Sequence, residues 1–183
     1  IGEEFSLMSF CDGKTLKHMP VVQDHKRAYE GDSGPNTGGM GTYTDKDHSL
    51  PFLNKKDLKE ARDINIATSK AIKNKCGEGF KGVLYGGFMA TSSGVKLIEY
   101  NARFGDPEAM NVLSLLESDF VEICIAIAEG NLNEIDVSFQ KKATVCKYAV
   151  PEGYPDNPVK GEPVDVSNID NSDALFFASV DYK

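Results

Sequence analysis

Three polar side chains occupy alternate positions near the middle of the chain: Glu99, Asn101 and Arg103. Residues 95–100, which include Glu99, are typical of a β-strand, in which residues two apart share a face. Two hard oxygen donors on one face suit Mg²⁺ held jointly with nucleotide phosphates, and an arginine on that face offers a bidentate fork for a phosphoryl group or carboxylate. A strand end with an Arg–Glu ion pair, followed by a helix capped by Asp106, is the alternative interpretation.

A glycine-rich segment, GPNTGGMG at residues 34–41, follows the run DHKR at residues 24–27. Backbone N–H groups of consecutive glycines can form a nest for phosphate or carboxylate, and the two basic residues add local positive charge. The spacing matches neither a Walker A loop nor a Rossmann fingerprint. A flexible surface loop is the alternative. Because residues 23–43 hold five glycines and show no apolar period, we expect a long irregular loop there.

Antiparallel strands and amphipathic helices are expected to position these residues. The turn signal Asp12-Gly13 predicts one hairpin and Ser92-Ser93-Gly94 a second. Apolar periodicity and capping residues predict the helices. The predicted elements are strands at 5–10, 19–22, 81–90, 95–100 and 143–150, and helices at 57–75, from Asp106-Pro107-Glu108 onward with Asp106 as N-cap, and at 119–129. This order predicts an α+β fold with helices on one face of an antiparallel sheet.

Composition narrows the class of protein. The 183 residues carry a net charge of -8, which argues against a general nucleic-acid binder. No apolar stretch is long enough for a membrane helix. The four cysteines lack C-x-x-C spacing, so we expect reduced thiols in a cytoplasmic protein, with Cys124 as a small core residue of its helix.

The order DHKR, GPNTGGMG, IEYN and ARFGDPE resembles the phosphoribosylamine–glycine ligase (glycinamide ribonucleotide synthetase) family of ATP-grasp enzymes. The resemblance extends from Ile1 to about Val150, and KYAVPEGYP resembles the opening of the family's C-terminal domain. It implies a C-terminal ATP-grasp subdomain at residues 1–137 and the start of the ligase C-terminal domain at 138–183.

The resemblance implies an enzyme of de novo purine biosynthesis. ATP would phosphorylate the carboxylate of glycine, and the amine of 5-phosphoribosylamine would attack the resulting glycyl phosphate. The products would be glycinamide ribonucleotide, ADP and phosphate. Mg²⁺ or Mn²⁺ is the implied cofactor, ATP, glycine and 5-phosphoribosylamine are the implied small-molecule partners, and neither nucleic acid nor membrane is implied.

Site residues follow from the resemblance position by position. It implies Glu99 and Asn101 as metal ligands and Arg103 as the catalytic residue that steadies the γ-phosphoryl group or acyl phosphate. The implied ATP-binding residues are Glu3, Glu4 and Met89, the methionine lying under the adenine unless it is a core residue. The implied substrate and phosphate loop comprises Lys26, Asn36, Thr37, Gly38, Gly39 and Gly41.

Two features depart from the family's pattern. Gly87 stands where many ATP-grasp proteins place an acidic metal ligand on the preceding strand. The resemblance also implies an internal part of a ligase, which would bind ATP and substrates with the remainder of the same chain and be inactive by itself. Two alternatives stay open: another ATP-grasp carboxylate–amine ligase, and a non-catalytic nucleotide-binding fragment.

Overall fold

The computed structural model describes residues 1–170 and 174–181, and the chain divides into two units, Ile1–Ala149 and Val150–Lys183. The first unit contains β1 (Gly2–Asp12), β2 (Leu16–His18), β3 (Gln23–Tyr29), β4 (Ser33–Thr44), α1 (Lys55–Cys76), β5 (Lys81–Thr91), β6 (Gly94–Asn101), α2 (Glu108–Leu113), α3 (Phe120–Glu129) and β7 (Thr144–Lys147). The predicted α+β class is confirmed. In the described part of the chain, no helix has the length and apolar character needed to cross a membrane.

A four-stranded antiparallel sheet with the order β2-β1-β5-β6 forms the centre of the first unit. Both predicted hairpins are present, although the strand expected at 19–22 is β2, at Leu16–His18. Alternation along β1 sends Phe5 and Leu7 to one face and Met8 and Phe10 to the other, and these two pairs lie in separate apolar clusters.

Helix α1 covers the face of Phe5 and Leu7. Its start is specified locally, because Asn54 accepts backbone N–H bonds from the first turn and Asp57 closes a capping box. Its end is equally local, since Gly77 adopts the left-handed conformation there. The helix predicted at 57–75 is therefore confirmed.

Helix α3 packs on the opposite face of the sheet, through Ile123, Ala126 and Ile127 against Met8 and Phe10. Helices thus cover both faces, where the sequence predicted one. The prediction that Cys124 is a core residue is wrong, because its side chain is exposed. The buried residues recur at steps of three and four from Ile123, which places position 124 about 100° around the helix axis.

A second antiparallel sheet, with the order β3-β4-β7, replaces the irregular loop expected at residues 23–43. The hairpin of β3 and β4 contains two register shifts. Backbone pairing with β7 completes the sheet, so its strands form without a continuous apolar stripe. Backbone hydrogen bonds between Ser6 and Val22, at 2.8 and 3.1 Å, link β1 of the first sheet to the residue before β3.

Helix α2 lies between the loop of residues 102–107 and the second sheet. Asp106 does not cap it, contrary to prediction: Pro107 occupies the cap position, and the Asp106 carboxylate accepts a hydrogen bond of 2.9 Å from the Tyr148 hydroxyl. The buried Asn111 amide donates to the Thr42 and Thr144 carbonyls at 3.3 and 3.2 Å. It also accepts from the Thr42 hydroxyl, so α2 is fixed to both β4 and β7.

The boundary between the two units follows Ala149, because β7 belongs to the sheet of the first unit. Assignment of residues 1–137 and 138–183 to two domains of a ligase stays a prediction. The second unit is described by itself as a series of turns without an α-helix or β-strand in its described residues. Residues 171–173 and 182–183 of the predicted C-terminal domain lie outside the described residues.

Replacing the buried Asn111 by alanine tests how strongly α2 is fixed to the second sheet. Asn111→Ala leaves the Thr42 and Thr144 carbonyls without this amide, and we expect the free energy of unfolding to fall by about 2 to 3 kcal/mol. Urea unfolding followed by circular dichroism measures the loss. Asn133→Ala, at an exposed position, is the matched control. Equal losses in the two variants would contradict the conclusion that Asn111 fixes α2 to the second sheet.

Candidate active site

Part of the α3-side face of the four-stranded sheet is left open beyond Met8 and carries the predicted site residues. In the register, Glu4 of β1 lies opposite Met89 of β5, and Met89 lies opposite Lys96 of β6. The next row along β5 pairs Gly87 with Glu99. Side chains directly opposite one another are about 5 Å apart at Cβ, so these residues form a continuous surface.

Glu99 and Asn101 share one face, as their spacing predicts. The Asn101 amide donates a hydrogen bond of 3.1 Å to a carboxylate oxygen of Glu99, and Glu99 is exposed. An added Cβ at Gly87 would lie in van der Waals contact with Glu99, 3.4 Å from its Cγ. Among the described residues no group of three or more His, Cys, Asp or Glu residues could hold a metal ion. Glu99 and Asn101 can therefore supply two ligands, and solvent or a bound phosphate must supply the others.

Arg103 lies on the loop between β6 and α2, close to the pair just described. Its side chain is exposed and donates through Nη1 to the Phe104 carbonyl at 2.7 Å. The alternative Arg103–Glu99 ion pair is absent from the described part of the structure. The guanidinium is thus directed by the backbone of its own loop and accessible to a ligand.

Two residues of strand β3 contact the acidic residues near the start of β1, which are distant from them in the sequence. Lys26 Nζ lies 3.9 Å from a carboxylate oxygen of Glu4, both side chains being partly exposed. The Gln23 amide donates to Glu3 at 3.4 Å. The predicted ATP-binding acids therefore lie beside the DHKR run.

The glycine-rich segment is strand β4 rather than a loop. Thr37 donates to the Lys26 carbonyl at 2.9 Å and accepts from the Gly39 N–H at 3.1 Å, while Asn36 and Gly38 are exposed. Gly41 is required by close packing, since an added Cβ would lie 2.7 Å from the Cys146 carbonyl oxygen. A nest for an anion in this segment stays a prediction.

A family model described as phosphoribosylglycinamide synthetase, ATP-grasp (A) domain, matches residues 1–109. This chain belongs to that family. Over 180 residues it is 58% identical to the phosphoribosylamine–glycine ligase of Methanosarcina barkeri, covering 98% of this chain and 41% of the relative. Over 165 residues it is 59% identical to the ligase of the same name from Methanocaldococcus jannaschii, covering 90% of this chain and 37% of the relative.

Solved structures agree with the family and its fold. A crystal structure of phosphoribosylamine–glycine ligase from Thermotoga maritima superposes with a TM-score of 0.74 at 31% identity, over 88% of this chain and 39% of that one. N5-carboxyaminoimidazole ribonucleotide synthetase from Thermus thermophilus gives a TM-score of 0.54 at 14% identity, over 78% and 34%, which shows the fold alone. This synthetase-family chain therefore spans about 40% of the length of these ligases.

The structure adds three residues that the sequence prediction of the site did not include: Asp24, Tyr85 and Glu108. Asp24 belongs to the DHKR run and Glu108 closes ARFGDPE, so both motifs held a signal. Tyr85 precedes Gly87 by two positions on β5, and only that alternation indicates its side of the sheet.

Asp24 has an unusual electrostatic environment. One of its carboxylate oxygens, Oδ1, is buried and has no hydrogen-bond partner among the described residues. Burial, then the charge of Glu108, raises the pKa of Asp24 to about 7, with further increases from Glu4 and Asp106 and a decrease from Lys26. Near neutral pH this position therefore exchanges between a protonated and an ionised carboxyl.

Asp24→Asn should stabilise the chain in a pH-dependent way. The pKa of Asp24 is about 7 in the folded state and 3.8 ordinarily, so ionisation of Asp24 lowers the free energy of unfolding. This loss of stability is complete above pH 7 and absent below about pH 4. We expect the variant to have a higher midpoint of thermal unfolding than the wild type at pH 8. The difference should decrease as the pH falls and vanish near pH 4.

Circular dichroism at several pH values measures these midpoints. Asp156→Asn, at an exposed position, is the control and should show no such trend. A gain that is constant with pH, or that grows towards acid, would contradict the raised pKa.

Proposed function

We propose that this chain is part of a phosphoribosylamine–glycine ligase that joins glycine to 5-phosphoribosylamine with ATP. A glycine carboxylate oxygen attacks the γ-phosphorus of ATP, giving glycyl phosphate and ADP. The amine of 5-phosphoribosylamine then attacks the acyl carbon, phosphate leaves, and glycinamide ribonucleotide forms. Membership of the family and the Glu99–Asn101 pair on the open sheet face support this reaction.

Glu99 and Asn101 are the proposed ligands of Mg²⁺ or Mn²⁺. Their fit rests on donor chemistry and exposure: a carboxylate and an amide in mutual contact, open to solvent, with Gly87 leaving the space beside them clear. Mg²⁺ takes one or two protein ligands together with phosphate oxygens and water. When bound, the ion neutralises charge on the phosphate oxygens.

ATP would lie along the row of Glu4 and Met89. Met89 gives an apolar surface for the adenine, and Glu4 gives a carboxylate for the ribose hydroxyls. Glu3 lies on the other face of β1, where its carboxylate accepts a hydrogen bond from Gln23. This row lies one step along β5 from the Gly87–Glu99 row, about 7 Å away for residues two apart on a strand. In this proposal the nucleoside and the phosphates of ATP would occupy neighbouring parts of one surface.

Arg103 is proposed to stabilise the charge that develops during phosphoryl transfer. Its exposed guanidinium and backbone-directed geometry suit a transferring phosphoryl group or the acyl phosphate. Lys26 and the residues Asn36 to Gly41 of β4 are proposed to line the substrate side, where Lys26 adds positive charge beside Glu4.

The remainder of a longer ligase chain would complete the site, since the matched ligases are more than twice as long as this chain. The proposed substrates are small metabolites, and the cytoplasmic location predicted from the sequence agrees with such a reaction.

Phosphate release by the full-length ligase tests the proposed reaction. We expect release to require ATP, glycine and 5-phosphoribosylamine together, and Glu99→Gln to lower kcat by at least about tenfold through weaker metal binding. Glu134→Gln, an exposed position after α3, should match the wild type. Release that proceeds without glycine, or with other carboxylates equally well, would contradict the proposed acceptor.

A further inference from the structure

Lys96 is a positively charged residue of β6 to which the proposed function assigns no role. It lies directly opposite Met89 in the sheet register, and residues opposite one another on antiparallel strands point to the same face. Its two sequence neighbours point to the other face: Val95 belongs to the apolar cluster beneath α1, and Leu97 lies opposite Phe88 of that cluster. Alternation along the strand therefore directs Lys96 to the open face of the sheet, where its side chain is exposed.

The proposed metal ligand Glu99 lies on this same face of β6, in the next row of the sheet. It is paired with Gly87, and one register shift separates this row from that of Lys96. Because of the shift, the two side chains share a face although they are three positions apart. The Tyr100 hydroxyl supports this placement, since it donates to Asn65 of α1 at 3.0 Å and so marks the covered face at the next residue.

The charge of Lys96 is not neutralised by a neighbouring side chain. In the described part of the chain, no ion pair or side-chain hydrogen bond includes its ammonium group. Lys26, which also lies beside the row of Met89, is 3.9 Å from a carboxylate oxygen of Glu4. The ammonium of Lys96 is therefore accessible to an anion that lies on the open face.

We propose that Lys96 binds the α-phosphate of ATP. This inference rests on the proposed function, in which the adenine lies over Met89 and the metal ion at Glu99 neutralises the β- and γ-phosphates. The rows of Met89 and Glu99 are about 7 Å apart, and the α-phosphate is the group that connects the nucleoside to the metal-bound phosphates. A lysine on the nucleoside row suits that group, because its flexible stem carries a compact charge beyond its own row.

An exposed lysine on β6 has an alternative explanation in the sheet itself. Strand β6 is the last strand in the order β2-β1-β5-β6, and lysines on edge strands prevent pairing with other chains. If that were its only role, replacing Lys96 would promote self-association and leave the affinity for nucleotides unchanged. A phosphate contact requires the affinity for nucleotides to fall, so measuring both properties separates the two explanations.

Lys96→Met in the full-length ligase removes the charge and keeps an unbranched side chain. Isothermal titration calorimetry without Mg²⁺ gives the Kd values of AMP, ADP and adenosine, so the metal site does not contribute to them. We expect the Kd values of AMP and ADP each to rise by about tenfold, the effect of losing one hydrogen bond to a charged group. The Kd of adenosine, which has no phosphate, should change by less than about twofold.

Two further variants control for the substitution. Lys96→Arg keeps the positive charge and should bind AMP within about threefold of the wild type. Lys70→Met removes an exposed lysine from α1, on the covered side of the sheet, and should match the wild type for all three ligands. Size-exclusion chromatography of each variant measures self-association.

The three ligands separate the possible results. An unchanged Kd of AMP in Lys96→Met would overturn the inference, as would weaker binding of ADP alone, which would locate the contact at the β-phosphate. An equal loss for adenosine would also overturn it, because the nucleoside row would then be disturbed. A wild-type ligase that binds none of the three would contradict the proposed ATP site and the inference with it. Lys96-dependent binding of AMP without glycine-dependent phosphate release would support the inference and contradict only the proposed reaction.

Discussion

Buried polar contacts of helix α2 hold the two sheets of the first unit around the site. At its first residue, Glu108 is buried, and its carboxylate lies against Gly105 beside the ring of Tyr85 from the four-stranded sheet. One turn later, Asn111 bonds β4 and β7 of the second sheet through Thr42 and Thr144. Because buried polar groups lose their water, such contacts tolerate little displacement. The geometry of α2 therefore sets how the DHKR and glycine-rich strands face the strand of Glu99.

The two faces of the four-stranded sheet are covered to different extents, and this difference explains why the site is open. On the α1 side, Phe5, Leu7 and Phe88 form a closed apolar cluster beneath the helix. On the other side, Met8 and Phe10 are covered by α3, while Glu4 remains exposed farther along the same strand. A single strand thus supplies both core and site residues, and the apolar part supports the functional part without an additional element.

Local signals made much of this fold predictable. The capping box at Asn54 and the left-handed Gly77 delimit α1 within a few residues of sequence, and the period of two places Glu99 and Asn101 on one face. Interactions that depend on distant partners were not predictable. Strand β4 takes its second partner from residues 144–147, and Asp106 binds Tyr148 rather than capping α2, so propensity alone gave a loop and a cap that are absent.

The same distinction applies within the candidate site. Exposed residues such as Glu99 and Arg103 stand out in a motif because their chemistry is unusual for a strand end. Tyr85 and Asp24 do not, since their environments arise from neighbours on other elements: two glycines on either edge of a ring, and three carboxylates around a fourth. The roles of Tyr85 and Asp24 therefore depend on the packing of separate elements, which no local pattern of residue types in the sequence indicates.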